Sequence, residues 1–336
     1  MTTTISPQAE TVLAHRYFLK NKKHEAIETP EILFHRVANA IADVEDQYLT
    51  LPVEKQLLAS EFYDMMASLD FLPNSPTLMN AGTEQGTLSA CFVLPLEDSM
   101  EGIMKAASDA AMVQKFGGGT GFSLSKLRPK GASIKTTHGK ACGPVAVLKV
   151  LSSVSSMVTQ GGKRDGANMA VMSVYHPDIL EFIDSKSSEG DIHNFNISVG
   201  VDTQFMKMVE FDMSYGTVDP STKQLVSTLP ARQVFDKICE GAWKNGEPGM
   251  VFIDKINADN HVQTEFGPMI ATNPCGEQPL LPNESCNLGS INLANFVDGS
   301  SVDWDRLHQI TTFCLLYTSD AADDTPCVDL GGRRII

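Results

Sequence analysis

The recurrence of a helix followed by a short apolar strand is the feature of this chain that most restricts its fold. Helical patterns cover residues 100–116, 145–154 and 231–245, and apolar strands are expected at 169–174, 196–199 and 250–253. Such alternation predicts an α/β architecture whose strands are largely parallel and buried. No repeat of solenoid length is visible in the sequence.

The first 70 residues have a different pattern, from which we predict a helical packing domain. Thr29 and Pro30 form a helix start, and Leu33, Val37 and Ile41 follow at helical spacing. A second helix is expected over residues 57–69. The next segment, 72–82, contains paired prolines that exclude a continuous helix, so it is either a binding loop or an ordinary loop braced by proline.

Charge and hydropathy exclude two classes of partner. The net charge of −15 argues against a general nucleic-acid surface, which needs a broad basic footprint. The sequence has no apolar run long enough to cross a bilayer and no signal peptide, so we expect a cytoplasmic protein that does not bind membranes. Its seven cysteines lack the dense spacing of a disulfide scaffold, which predicts reduced and partly catalytic thiols.

The stretch 273–277 concentrates reactive groups between a proline and a glycine. If it is extended, Asn273, Cys275 and Glu277 share one face, which can hold a redox centre, an acid/base group and a hydrogen-bonding group. Cys286 follows eleven residues later and Cys91 lies far upstream, so three cysteines can converge. A zinc site is the alternative, but no histidine is near Cys275 or Cys286 in sequence, and we predict no metal site.

Two glycine-rich segments carry local positive charge. Glycines 117–121 can let backbone amides approach a ligand, and Lys126 and Arg128 can neutralise phosphate, although the spacing is neither a Walker A loop nor a dinucleotide fingerprint. The segment 160–168 is predicted to be a mobile loop. His176 is expected to be structural, because no partner at ligand spacing lies near it.

Four motifs in order, at 73–77, 89–91, 117–122 and 273–277, resemble those of the catalytic subunit of ribonucleotide reductases. The resemblance runs from about residue 7 to about residue 313 and is closest to the coenzyme B12-dependent branch, class II. It implies an N-terminal helical domain at 1–70. It also implies, at 71–313, the first part of a ten-stranded α/β barrel with an effector site, incomplete at the C-terminus.

The resemblance also implies a chemistry. A thiyl radical on Cys275 abstracts hydrogen from the 3′ carbon of the ribose, and Glu277 is the base on the 3′ hydroxyl. Asn273 hydrogen-bonds the substrate, while Cys91 and Cys286 deliver two reducing equivalents and end as a disulfide. The residue types suit these roles, because a thiol hydrogen is weakly held, a carboxylate is a competent base and paired thiols can close into a disulfide.

Ligand sites follow from the same resemblance. The residues expected to contact the ribonucleotide substrate are Ser75, Ala90, Cys91, Gly119, Asn273 and Glu277. Those expected to bind a deoxynucleotide effector are Asp98, Ser99, Arg128, Lys163 and Arg164, and the loop 162–168 relays effector identity to substrate choice. The implied cofactor is adenosylcobalamin, for which no contact residue can be named. A thioredoxin- or glutaredoxin-type reductant is the implied partner, and a homodimer and the phosphate number of the substrate are left open.

Three other interpretations of the function compete with this one. A class I large subunit needs a radical-generating partner subunit, but Ala90 stands where that class often has serine. A glycyl-radical reductase needs a glycine motif near its C-terminus, which this sequence does not show. A non-enzymatic nucleotide-sensing module would bind through Asp98 and Arg128 and would leave Cys275 and Glu277 unexplained.

The last segment, 314–336, is expected to be non-native. Its amino-acid sequence resembles a translated sequencing adapter and does not continue the family helix that begins near Asp303. Cys314 and Cys327 are therefore expected to have no function. A chain that ends there leaves barrel strands unmade and their edges and apolar faces open. We therefore expect the 336-residue polypeptide to be an inactive, aggregation-prone fragment.

Overall fold

A computed structural model describes residues 5–44, 52–84, 87–134, 138–158, 166–187, 190 and 192–317. The chain divides into two compact units, one comprising Met1–Ala90 and Cys286–Ile336 and the other comprising Cys91–Ser285. We call them unit 1 and unit 2.

The helices within these residues are α1 (Pro7–Arg16), α2 (Pro30–Asp43), α3 (Pro52–Ala67), α4 (Ser75–Asn80), α5 (Met100–Lys115), α6 (Pro144–Met157), α7 (Ile179–Asp184), α8 (Thr203–Glu210), α9 (Ala231–Asn245), α10 (Ile253–Ala258), α11 (Gln263–Phe266) and α12 (Trp304–Leu316). The strands are β1 (Phe71–Pro73), β2 (Cys91–Val93), β3 (Gly119–Ser123), β4 (Asn168–Ser173), β5 (Phe195–Val201), β6 (Ser214–Val218), β7 (Leu225–Pro230), β8 (Gly249–Phe252), β9 (Ala271–Thr272), β10 (Pro279–Leu280), β11 (Ser285–Cys286), β12 (Gly289–Ile291), β13 (Val297–Asp298) and β14 (Ser301–Val302).

Unit 1 is built on the predicted N-terminal helices. Helix α2 begins at Pro30, and the Thr29 side chain caps it by accepting a hydrogen bond from the amide of Ile32. Its buried face carries Leu33 and Val37, which pack in one apolar core with side chains from α3. Strands β1 and β12 pair antiparallel in the same unit. The predicted helical region is therefore confirmed.

The segment 72–82 contains a short helix that the sequence did not lead us to predict. No continuous helix spans it, but α4 occupies Ser75–Asn80 with Pro76 in its first turn. Proline is tolerated there because the first amides of a helix have no intrahelical partner. Asn74 caps the helix, since its Oδ1 atom accepts the Thr77 amide at 2.9 Å. The paired prolines therefore limited this helix without preventing it.

Unit 2 contains most of a mixed sheet with strand order β11-β2-β3-β4-β5-β8. Strands β2, β3, β4, β5 and β8 are parallel to their neighbours, and β3 and β4 are buried almost throughout. Helices α5, α6 and α7 lie in the connections between these strands. The predicted α/β architecture with buried parallel strands is confirmed, whereas closure into ten strands stays a prediction.

The glycine run 117–121 is closely packed against other parts of the chain, and the substrate contact expected for Gly119 stays a prediction. Its last residues are the start of β3, between β2 and β4. A Cβ atom on Gly121 would lie 1.9 Å from the carbonyl oxygen of Thr272, and one on Gly118 would lie 2.6 Å from Val113 Cγ1. These glycines are needed because other parts of the chain approach the backbone, a constraint that sequence spacing does not reveal.

Helix α12 continues to Leu316, past Cys314, where we expected the family helix to stop. Residues 318–336, which hold most of the segment expected to be non-native, lie outside the described residues, so that expectation stays a prediction. Among the described helices, none combines the length and the hydrophobicity that crossing a membrane requires.

Candidate active site

The stretch 273–277 is a tight turn at the tip of the hairpin formed by β9 and β10. The amide of Gly276 donates to the Asn273 carbonyl at 3.1 Å, and Gly276 has φ of 85°. The segment is therefore a turn, so the shared face argued for an extended segment does not apply. Gly276 reverses the chain at positive φ, which glycine adopts without strain. Asn273 is buried, whereas Cys275 and Glu277 are exposed.

The turn lies over the amino ends of the parallel strands of unit 2. Gly119 opens β3 and faces the ring of Pro274, since a Cβ atom at Gly119 would lie 2.6 Å from Pro274 Cγ. From β5, Asn196 Nδ2 donates to the Pro274 carbonyl at 2.7 Å. The backbone around Cys275 is thus held by contacts with β3 and with β5, which lie on either side of β4.

Asn273 joins the turn to the first residue of β2. Its Nδ2 atom donates to Cys91 Sγ at 3.6 Å, and its Oδ1 atom accepts the amide of Gln278 at 3.0 Å. Cys91 is buried at this point. Unit 2 therefore brings together Cys91, Gly119, Asn273 and the exposed Cys275, whose roles in a site stay predictions. The role of Asn273 as a substrate contact stays a prediction.

The remaining residues expected at the active site belong to unit 1. Ser75 opens α4, and its Oγ atom lies 2.9 Å from the hydroxyl of Tyr17. The amide of Ala90 donates to the carbonyl of Cys286 at 2.9 Å. Because Cys91 and Cys286 fall in different units, the redox pairing of these two cysteines stays a prediction.

Three of the predicted effector residues lie together in unit 2. Arg128 Nε donates to Asp98 Oδ2 at 2.8 Å, and the amide of Arg128 donates to Asp98 Oδ1 at 3.1 Å. Ser99 caps α5 by accepting the Gly102 amide. Asp98 and Arg128 thus bind each other in this structure. Lys163 and Arg164 lie outside the described residues.

His176 supports the segment that carries Arg128. It is buried, its Nε2 atom lies 2.8 Å from the Leu127 carbonyl, and its Nδ1 atom accepts the Asp178 amide at 3.0 Å. These partners need a neutral ring with its hydrogen on Nε2. Burial lowers the pKa of His176, which favours the same neutral form. This environment agrees with the structural role expected from the sequence.

A cavity of about 340 Å³ opens at the opposite, carboxyl ends of the same strands. Tyr175 and Asp202 line it, and the Tyr175 hydroxyl donates to Asp202 Oδ1 at 2.8 Å. Burial and this carboxylate raise the pKa of Tyr175. The residues lining the cavity include none of the predicted catalytic ones, and we assign it no part in the chemistry.

Sequence reasoning missed three amide side chains in this part of unit 2, of which Asn196 contacts the turn. Asn168 and Asn196 lie at the amino-terminal ends of buried strands, and Gln114 lies at the end of α5. Amides within apolar strands are a usable signal, because a buried polar group needs partners. The partners themselves come from distant parts of the chain. Among the described residues, no group of three histidine, cysteine or acidic side chains could hold a metal ion.

Comparison with known proteins assigns both parts of the chain to one family. The profile described as "Ribonucleotide reductase, barrel domain" matches residues 89–323, and that described as "Ribonucleotide reductase, all-alpha domain" matches residues 4–86.

Several curated relatives are similar over most of the chain. A vitamin B12-dependent ribonucleoside-diphosphate reductase of Mycobacterium tuberculosis (strain CDC 1551 / Oshkosh) is 45% identical over 320 residues, which cover 95% of this chain and 46% of the relative. The protein of the same name in Thermoplasma acidophilum is 41% identical over 94% of this chain and 48% of its own length. A vitamin B12-dependent ribonucleotide reductase of Streptomyces coelicolor is 32% identical over 80% of this chain and 31% of its own length. The chain thus spans about half the length, or less, of these relatives.

Proposed function

This chain belongs to the ribonucleotide reductase family, and from that premise we propose that its protein reduces ribonucleotides to 2′-deoxyribonucleotides by thiyl-radical chemistry. The observation that carries the proposal is the turn 273–277. It presents Cys275 and Glu277 to solvent while Asn273 anchors it against Cys91 Sγ. A hydrogen-donating thiol and a carboxylate on one rigid turn suit radical chemistry on a polyol substrate.

In the proposed reaction, the Cys275 radical removes the 3′ hydrogen atom of the ribose. Glu277 accepts the proton of the 3′ hydroxyl, which helps the 2′ hydroxyl leave as water. Cys91 and Cys286 supply two electrons and two protons and are oxidised to a disulfide. Cys275 finally returns the hydrogen atom to the 3′ carbon. The balance is one ribonucleotide and one dithiol giving one deoxyribonucleotide, one disulfide and one water.

The proposed cofactor is adenosylcobalamin, in agreement with the names of the relatives, which are vitamin B12-dependent enzymes. Cys275 is the residue that fits this group, because its exposed position on the turn lets an external radical source reach the thiol. When bound, the cofactor supplies the radical chemistry that oxidises a thiol. No other described residue can be assigned a contact with it.

Three partners belong to the same proposal. The substrate is a ribonucleoside diphosphate, the substrate class in the names of these relatives. A thioredoxin- or glutaredoxin-type dithiol restores the oxidised cysteines. A second copy of the chain is a candidate partner for α5, whose exposed face carries Met100, Met104 and Met112. The molar mass of the complete protein in solution, measured by light scattering, tests the homodimer: a monomeric mass would exclude it.

The function is tested by deoxynucleotide formation in the complete protein. We expect turnover of ribonucleoside diphosphates with adenosylcobalamin and a dithiol as the only additions. If turnover requires a separate radical-generating subunit instead, the class I interpretation is correct. Tight nucleotide binding without any reduction under either condition would favour the nucleotide-sensing module.

Replacing Asp98 with alanine should weaken effector binding by about tenfold or more and blur substrate choice, while basal turnover remains. The Asp98 carboxylate accepts from Arg128 Nε and from the Arg128 amide, and its loss would leave the guanidinium, among the described residues, only the bond to the Asp98 carbonyl. A guanidinium held by one bond is less well oriented toward an anionic ligand. Deoxynucleotide binding is measured by calorimetry. Asp184→Ala is the matched control, because this acidic residue pairs with Lys237 on an exposed surface. Unchanged effector affinity with reduced basal turnover would refute the assignment.

A further inference from the structure

Gln114 is a fully buried amide at the end of α5. Its Nε2 atom donates to Asn168 Oδ1 at 2.7 Å and to Ser155 Oγ at 3.0 Å, and it lies 3.3 Å from Thr120 Oγ1. Thr120 Oγ1 also donates to Asn168 Oδ1 at 2.5 Å. All four side chains are at most 1% exposed. One amide group therefore links α5, α6 and the amino ends of β3 and β4.

This network adjoins the strand end that contacts the turn carrying Cys275. Thr120 follows Gly119, the residue that faces Pro274, and its amide donates to the carbonyl of Ala167 at 3.1 Å. Asn168 Nδ2 and the Asn168 amide both contact the carbonyl of Asn194, which precedes β5. The network thus sets the spacing of the strand ends against which Pro274 rests.

The surroundings of the Gln114 carbonyl oxygen indicate why an amide, and not an apolar side chain, occupies this position. Gln114 Oε1 is buried and has no hydrogen-bond partner in the part of the chain that the structure describes. It faces Gly166, where a Cβ atom would lie 2.6 Å away. A buried carbonyl oxygen without a partner is unfavourable, and an apolar side chain of the same size would avoid that cost. The amide is therefore explained by what its Nε2 atom donates to.

We propose that Gln114 is a positioning residue for the turn 273–277. Its Nε2 atom fixes Thr120 and Asn168, these fix the amino ends of β3 and β4, and the strand ends hold Pro274 and with it Cys275. Gln114 itself does not touch substrate. The part of this inference that concerns turnover rests on the proposed function, whereas the part that concerns the order of the turn does not.

The order of the turn is tested by hydrogen exchange in the complete protein with Gln114→Met, which keeps the length of the side chain and removes both polar atoms. We expect the amides of Asn273, Gly276 and Gln278 to exchange at least about fivefold faster, because the turn loses its rigid support. The β6–β7 hairpin should exchange as in the unmodified protein. Thr217→Val is the matched control, since it removes the hydroxyl of another fully buried side chain, which bonds to the exposed Ser227 in that hairpin.

Two exchange results would overturn the inference. One is unchanged exchange in the turn, and the other is an equal acceleration in the turn and in the β6–β7 hairpin, which would mean that Gln114 only stabilises the unit. If Gln114→Met does not fold, Thr120→Val replaces it. That variant removes one link of the network at constant shape, and the same local acceleration is expected.

Turnover supplies a second readout. If Gln114 positions Cys275, kcat of Gln114→Met should fall by about tenfold or more with KM within about twofold, because misplaced reacting groups slow the chemical step. Thr217→Val should change neither. A rise in KM at constant kcat would contradict positioning of the thiol. Faster exchange in the turn of a protein that proves not to be a reductase would leave the structural inference intact and refute only the proposed function.

Discussion

Replacing Cys275 with serine will abolish nucleotide reduction by the complete protein, with a loss of more than about 10⁴-fold and to below detection. Serine has nearly the same shape and fits the exposed tip of the turn, but its O–H bond is much stronger than a thiol S–H bond. A radical therefore cannot form on that side chain under the same conditions. The measurement is deoxynucleotide formation at saturating substrate, with dissociation of the substrate measured in parallel.

The matched control for this variant is Cys239→Ser. Cys239 is also exposed but lies on α9, and no described contact joins it to the turn. We expect its turnover to stay within about twofold of the unmodified protein, because surface substitutions away from special features have small effects. Substantial turnover by Cys275→Ser would show that the radical forms elsewhere.

Replacing Glu277 with glutamine will lower kcat by about 10²- to 10⁴-fold while substrate binding stays nearly intact. The amide fills the same volume on the turn, but it cannot accept the proton of the 3′ hydroxyl. Glu277 is exposed beside Cys275, so the substitution leaves no buried group without a partner. Single-turnover kinetics separate the chemical step from binding.

Two controls limit the interpretation of the Glu277 result. Glu265→Gln, an exposed residue of α11, makes the same chemical change away from the turn and should leave kcat unchanged. Thermal unfolding should coincide for both variants and the unmodified protein. Near-normal turnover by Glu277→Gln would exclude this residue as the base, and a large rise in the substrate dissociation constant would assign it to binding instead.

The parts of the fold that could be predicted are those that depend on neighbours in sequence. Thr29 caps a helix as expected, because a cap contacts amides only two or three residues away. The apolar runs that become β4 and β5 reveal buried strands for a similar reason, since every residue of such a strand meets an apolar environment.

The parts that could not be predicted depend on contacts between distant segments. The side chain of Asn273 contacts Cys91, 182 residues earlier, and the local sequence shows neither this contact nor the turn that makes it. Gly119 and Gly121 accommodate Pro274 and the carbonyl of Thr272, which are distant in sequence. Nothing local in the sequence distinguishes a glycine that a ligand approaches from one that another strand approaches.

The site residues show the same division. The four motifs identify Cys275, Glu277 and Asn273 directly as candidate site residues, because the proposed chemistry depends on their residue types. Gln114 and Asn196 belong to no motif. Gln114 joins α5 to Asn168 of β4, and Asn196 joins β5 to the turn 273–277. Amides of this kind become visible only when the partners of each buried polar group are known.

The most direct test of the three-cysteine chemistry is a single turnover by the complete protein without any external reductant. After reaction with substrate, thiols are alkylated and the digested protein is analysed by mass spectrometry. The three-cysteine chemistry predicts one Cys91–Cys286 disulfide for each deoxynucleotide formed, with Cys275 still alkylated as a thiol. Deoxynucleotide formed while Cys91 and Cys286 both remain alkylated, or a disulfide that includes Cys275, would contradict it.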